Sequence, residues 1–493
     1  MMKKTIKYIV GAAVLALSMG VTSCSDFLEE EPQSLLAPEN FPASADDADL
    51  ILGGMMQLMD DYYQRDFFLS VAVTSDEVDA KYTSGDRYDM DHFTYTASNQ
   101  YFRDVWRDGY KVISSANTMI KDIPETTEWG KQYLAAARFY RAMNYFHLVR
   151  MFGPIPLRTK PVEALEQASQ VDKETEEGIY TQIVEDLTYA EQYLPVSWAG
   201  AIDDGRPTMG AAKVLLSKVY ITMAGYPLKQ TAYYTKAAEK AKEVINAGTY
   251  NLVNDFGDLF KVATENGPEH IWSIQYSDPK DGGTMMTTQS RPSGGGIKEG
   301  GWYFWNTSVA FMDTFDDMDA RKAVTFLAEI KQMVDGEEQV ITYIDWGGGD
   351  PLKTKPCLGK YQDYGEGRSF NDEGKRTGLN FPVFRLAEAY LILAEASNEA
   401  NGPSAEAYDA INRLRTRAGM PALSGLDQSG LRAAIQQEWS FELAHEAKRR
   451  FNLLRWERLD EVMSQDEHGK VGYQPSMKYL PIPQDETDLS GIE

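Results

Sequence analysis

Cysteine is nearly absent: 493 residues contain only Cys24 and Cys357. If Cys24 is otherwise engaged no disulfide can form, and packing must hold the fold. Histidine is almost as scarce. His92, His147, His270, His445 and His468 are scattered, with no HExxH or similar spacing, so nothing points to a catalytic zinc. No GxSxG elbow, P-loop or cofactor motif appears. Positive charge is also in short supply. Lysine and arginine number 49 against 74 aspartates and glutamates, a net charge of -25 that argues against nucleic acid and anionic membranes as binding surfaces. The apolar run Ile9 to Leu17 is far below the roughly 20 residues that span a bilayer.

That short run sits in an informative place. Lys3, Lys4 and Lys7 precede it, and small residues lead from it to Ser23-Cys24. A basic start, a short apolar middle and a small-residue cleavage region make residues 1–23 a secretory signal. Cys24 stands where a lipoprotein signal places its lipid-accepting cysteine, although Val21-Thr22-Ser23 matches the usual preceding pattern loosely. Two or three acyl chains, at about 0.8 kcal/mol per buried methylene, anchor a protein stably. Losing residues 1–23 removes three lysines and no acids, which takes the charge from -25 to -28. Residues 24–40 begin Cys-Ser-Asp-Phe-Leu-Glu-Glu-Glu-Pro and show no helical stripe, so they read as a flexible tether.

The body, residues 41–493, is helical by pattern. Trp106, Tyr110, Ile113, Asn117 and Ile120 recur at steps of three and four. Further helices are expected over 131–152, 179–194, 207–223, 233–247, 383–400, 404–418 and about 431–459, several ended by glycine or proline. Serial helices mixing alanine with large apolar residues predict an all-α, tetratricopeptide-like scaffold of stacked hairpins with little β structure. Residues 249–380 differ. Ile271 to Tyr276 alternates like a short strand, and Gly282 to Gly301 holds seven glycines. A helix led by Thr307 or Ser308 is expected next. An aromatic, loop-rich insertion in a helical scaffold predicts a ligand-binding segment.

Several strings taken together resemble one family. They are WRDGYKVISSAN (106–117), RFYRAMNYFHLVRMFGPIPL (138–157), FDDMDAR (315–321), FRLAEAYLILAEASNEANG (384–402), AYDAINRLRTRAGMP (407–421), FELAHEAKRRFNLLRW (441–456) and LPIPQDE (480–486). In this order they resemble the SusD/RagB family of surface nutrient-binding lipoproteins. Trp439, Ala447 and Asn452 depart from that family's usual arginine, glycine and aspartate. The resemblance implies a cell-surface protein, lipid-anchored in the outer membrane through Cys24. It would capture an oligosaccharide or polysaccharide and pass it to a SusC-like TonB-dependent transporter. Peptide capture of the RagB type is the alternative.

Sugar rings present apolar faces and hydroxyl edges, so they need aromatic platforms with polar groups around them. Trp302, Tyr303 and Trp305 are the platform candidates, and alternation sends Trp302 and Phe304 to one side, Tyr303 and Trp305 to the other. Asp76, Arg87, Asn99 and Tyr101 precede the Trp106 helix, where the resemblance implies binding residues. Gln289 and Arg291 add hydrogen-bonding capacity. A glycosidase needs two carboxylates about 5–10 Å apart. Glu388 and Glu395 share a helix face roughly 10 Å apart, but on a scaffold stripe. An enzyme is therefore not expected, and neither is a two-lobed α/β importer receptor or a purely structural repeat protein.

Overall fold

The computed structural model describes residues 42–492 except 82–83, 163–171, 199–204, 277–282, 294–295, 298–299, 350–352, 364–375 and 466–469. The expected signal, Cys24 and tether lie outside the described residues.

The scaffold helices are α1 (Ala45–Asp61), α2 (Asp86–His92), α3 (Gln100–Asp122), α4 (Glu128–Phe152), α5 (Glu176–Tyr193), α6 (Met209–Ala224), α7 (Tyr233–Asn246), α8 (Met286–Ser290), α9 (Leu386–Asn401), α10 (Ala405–Arg417), α11 (Gln428–Glu442) and α12 (Arg449–Arg455). From α3 to α7 each long helix packs on the next; α7 then packs on α9, and α9 on α10 and α11. This is the serial stacking the sequence predicts.

Local chemistry starts these helices. Asn99, Thr127, Thr175, Thr208, Ser404 and Asp427 each accept a backbone N–H of the first turn of α3, α4, α5, α6, α10 and α11. Each such cap contributes about 1 kcal/mol. Helix α4 is buried around almost its whole circumference, and Ala135, Ala136, Ala137 and Ala142 let its neighbours approach. It stops at Gly153, whose φ of 73° suits glycine and whose missing Cβ leaves room for the Tyr479 ring.

Helix α1 was not expected, several helix starts shift by two or three residues, and two larger differences stand out. Residues 381–385 form a strand before α9, so Val383 is not helical. The region from Leu431 to Leu459 is broken after α11, because His445 (φ 62°) and Ala447 (φ 54°) adopt left-handed backbone. Ala447 thus occupies a conformation that favours the glycine common at this position in the resembled family.

Apart from an isolated bridge between Thr284 and Thr377, the β structure among the described residues consists of antiparallel two-stranded ribbons. The longer strands are β1 (Val78–Ala80), β2 (His270–Ile274), β3 (Trp305–Thr307), β4 (Glu329–Val334), β5 (Glu337–Thr342) and β6 (Phe381–Arg385). Strand β1 pairs with β3, β2 with β6, and β4 with β5. The β4–β5 hairpin turns at Asp335-Gly336, both with positive φ.

A buried charge cluster joins the insertion to the scaffold. Arg385 bonds Glu269 at 2.8 Å, Glu442 at 3.0 Å and Glu446 at 2.9 Å. Arg417 reaches Glu269 at 2.7 Å and also pairs with Glu442. Arg321 binds Asp319 at 2.7 Å, Glu438 at 2.6 Å and Glu442 at 3.0 Å. Lys360 binds Glu446 at 2.7 Å, and Arg415 binds Glu438 at 3.2 Å. Five cations thus face five anions. Burial alone would raise the Glu442 carboxyl, but the Arg417, Arg385 and Arg321 guanidiniums outweigh it and hold it well below the ordinary range.

Candidate functional site

Two chain segments expected to carry binding residues meet in space. The β1–β3 register places Val78 opposite Thr307, Asp79 opposite Asn306 and Ala80 opposite Trp305. The contact continues as the Lys81 N–H donates to the Phe304 carbonyl at 3.2 Å. Behind it, α8 holds the aromatic run: Trp302 N–H donates to Thr288 O and Phe304 N–H to Gln289 O, each at 2.7 Å. Gly301 is required here, because a Cβ would lie 2.3 Å from the Thr288 carbonyl oxygen.

Burial alternates over residues 302–305, but not as a strand with two faces: Tyr303 has left-handed backbone (φ 54°), the strand begins only at Trp305, and Tyr303 and Trp305 enter different core clusters. Trp302 and Phe304 are half-buried and their rings touch, with centroids 5.0 Å apart at 33°. The Arg87 guanidinium lies 4.1 Å over the Phe304 ring, a cation–π contact that closes one end of the platform. Arg87 Nε also donates to the Tyr101 hydroxyl. Helix α2, which carries Arg87, is fastened to the start of α3: Asn99 Nδ2 donates to Asp86 O at 3.0 Å, and Gln100 N–H to Asp86 Oδ2 at 3.2 Å. Nearby, Tyr88 and His92 stack with centroids 3.8 Å apart.

Of the nine candidate residues, Trp302 and Arg87 keep partial exposure and the other seven are buried. Tyr303 and Trp305 are corrected from platform candidates to core. Both are 0 % exposed. The Tyr303 hydroxyl sits between the carbonyls of Lys353 and Lys355, at 2.9 and 2.8 Å. Trp305 packs beside Phe68 and Phe304. Asp76, Asn99, Tyr101, Gln289 and Arg291 are also buried rather than displayed on the surface. Asp76 is tied up with Arg449 at 2.7 Å, Asn99 caps α3, and Tyr101 lies against Arg87 and Arg65. Arg291 donates to Gln362 Oε1 at 3.2 Å. Gln289 is buried, and its side-chain oxygen has no partner among the described residues. Sequence reasoning underrated Phe304, whose ring bridges Trp302 and Arg87; the alternation already set it beside Trp302.

The carboxylate pair considered for catalysis is occupied. Glu388 pairs with Lys218 and with Lys448 at 3.6 Å, and Glu395 pairs with Arg455.

Comparison with known proteins agrees with this architecture. Residues 268–491 match the model of the SusD family, and residues 26–221 match one described as starch-binding, associating with outer membrane. The SusD-like protein P2 of Formosa agariphila is 30% identical over 97% of this chain and 96% of its own length. The chain belongs to the SusD family. The starch-binding protein SusD of Bacteroides thetaiotaomicron is 25% identical over 92% of this chain and 91% of its own. The crystal structure of a SusD homolog from the same species superposes with a TM-score of 0.79 at 24% identity, covering 92% and 96% of the two chains. The strings that suggested the family fall in both matched segments.

Proposed function

We propose that this protein captures an oligosaccharide or polysaccharide at the bacterial surface without changing any bond, and delivers it to a SusC-like TonB-dependent transporter. The observation that carries the reading is the Trp302–Phe304 pair closed by Arg87. Such a surface offers an apolar face to sugar C–H groups and a donor to their hydroxyls. The family relationship adds support, since one relative is named as starch-binding and the family model as associating with outer membrane. The reading includes lipid attachment at Cys24, which keeps the protein outside the cell on its membrane.

The test is a glycan and peptide binding screen on the body lacking residues 1–24. Trp302→Ala is expected to weaken glycan binding at least about tenfold, or about 1.4 kcal/mol, while thermal unfolding stays near wild type. Unchanged affinity in the variant eliminates the platform. For the anchor, Cys24→Ala should move the protein from the membrane fraction to the soluble fraction. Continued membrane partitioning would refute it.

A further inference from the structure

The core holds a cavity of about 10 Å³, with Tyr63, His147, Arg150, Lys218 and Lys448 on its wall. That is room for one particle about the size of a water molecule. Helix α4 supplies His147 and Arg150, α6 supplies Lys218, and Lys448 stands at the start of α12.

Positive charge in this wall is not matched. Arg150, Lys218 and Lys448 are all buried. Glu388 is the carboxylate set against them: it pairs with Lys218 and lies 3.6 Å from Lys448. Its Oε2 makes no hydrogen bond among the described residues. Glu446 also lines the cavity, but it already serves Lys360 and Arg385 in the balanced cluster of five cations and five anions. Two positive charges are left over. Arg150 has no ion pair among the described residues; its Nε donates to the Phe146 carbonyl at 2.7 Å and its Nη2 to His147 Nδ1 at 3.0 Å. The rings of Phe146 and Phe451 lie 3.6 and 3.9 Å from its guanidinium carbon. Burial, the largest cause, lowers Arg150 to about 10 and Lys218 well below the ordinary lysine range, as where positive charge lacks compensation.

Hydrogen-bond donors are left over as well. His147 Nδ1 accepts from Arg150, so Nε2 carries the ring proton and donates to the Tyr63 hydroxyl at 2.7 Å. Tyr63 then keeps its own proton to give, with no acceptor for it among the described residues. Lys448 spends one proton on the Val383 carbonyl at 2.6 Å, and Arg150 Nη1 spends none there. A water molecule would satisfy donors and leave the charge uncompensated, which is the costlier deficit in a buried place. The volume excludes sulfate, phosphate and carboxylates. The geometry points to a site for one monatomic anion, chloride, held by Arg150, Lys448 and the Tyr63 hydroxyl. It does not rest on the glycan reading.

Chloride itself is the probe. Thermal unfolding is followed in sodium chloride and in sodium gluconate at equal ionic strength, for the wild type and for Lys448→Met. A ligand that binds only the folded state stabilises it by mass action, so chloride should raise the melting temperature by about 2 °C or more over gluconate. In Lys448→Met, which keeps the length and loses the charge, that difference is expected to vanish. Should the variant not fold, long-wavelength anomalous diffraction from wild-type crystals grown in chloride decides, with a single chlorine signal expected beside Arg150. Equal melting temperatures of the wild type in the two salts overturn the site. So does a chloride effect that persists in Lys448→Met, or a water in the cavity without anomalous signal.

Discussion

Trp305→Ala is expected to destabilise the protein by about 3–5 kcal/mol, the usual range for deleting a fully buried indole. The side chain is 0 % exposed, with its ring centroid 6.4 Å from that of Phe68 and 6.2 Å from that of Phe304. Its backbone sits opposite Ala80 in the β1–β3 ribbon, so the hole would open directly beneath the platform. Urea unfolding should show a lower midpoint, and glycan binding should weaken only as far as Phe304 loses its support. The contrast with Trp302→Ala, a partly exposed ring whose loss is expected to cost less than that of Trp305, is the useful measurement. Equal stability of the two variants would show that residue 305 does not occupy the core.

Glu442→Ala is expected to have an effect of similar size. Its carboxylate meets Arg321 at 3.0 Å and Arg385 at 3.0 Å, and it also pairs with Arg417. Removing one partner from a buried charge pair costs about 3–5 kcal/mol, because an uncompensated charge remains. Here five cations would face four anions, with the side chains of Arg321, Arg385 and Arg417 at 0–5 % exposure. A control is Arg432→Ala, which breaks a pair with Glu399 whose arginine is 40 % exposed. That change should cost about 1 kcal/mol or less. A Glu442 variant as stable as the control would mean that the cluster tolerates the missing charge.

The helical scaffold was legible because its signals are local. Ser404 marks one helix start and Gly153 and Gly402 mark stops, whereas the caps Thr127, Thr208 and Asp427 went unread, so the starts expected at 131, 207 and about 431 fall at 128, 209 and 428. The break after α11 was not legible: it rests on left-handed backbone at His445 and Ala447, residue types that do not signal it. The β4–β5 hairpin did carry a cue, Asp335-Gly336, but its strands hold few apolar residues and so show no clean alternation. For the site, a period of two grouped Trp302 with Phe304, and the half-buried pair matches, but the left-handed backbone at Tyr303 that sends Tyr303 and Trp305 into different clusters was not legible. The period could not say which pair faces inward, since that depends on what α8 and β1 bring against them. Asp76 and Asn99 look like ligand groups in sequence because polar loop residues and helix caps use the same side chains as sugar sites.

The β1–β3 ribbon stitches residues 78–80 to residues 305–307. Arg87 and Phe304 are therefore neighbours in space although more than two hundred residues separate them in sequence. A chain that lacks either portion lacks the contact between Arg87 and Phe304 that closes the proposed platform. The proposed platform therefore belongs to the folded chain and to neither segment alone.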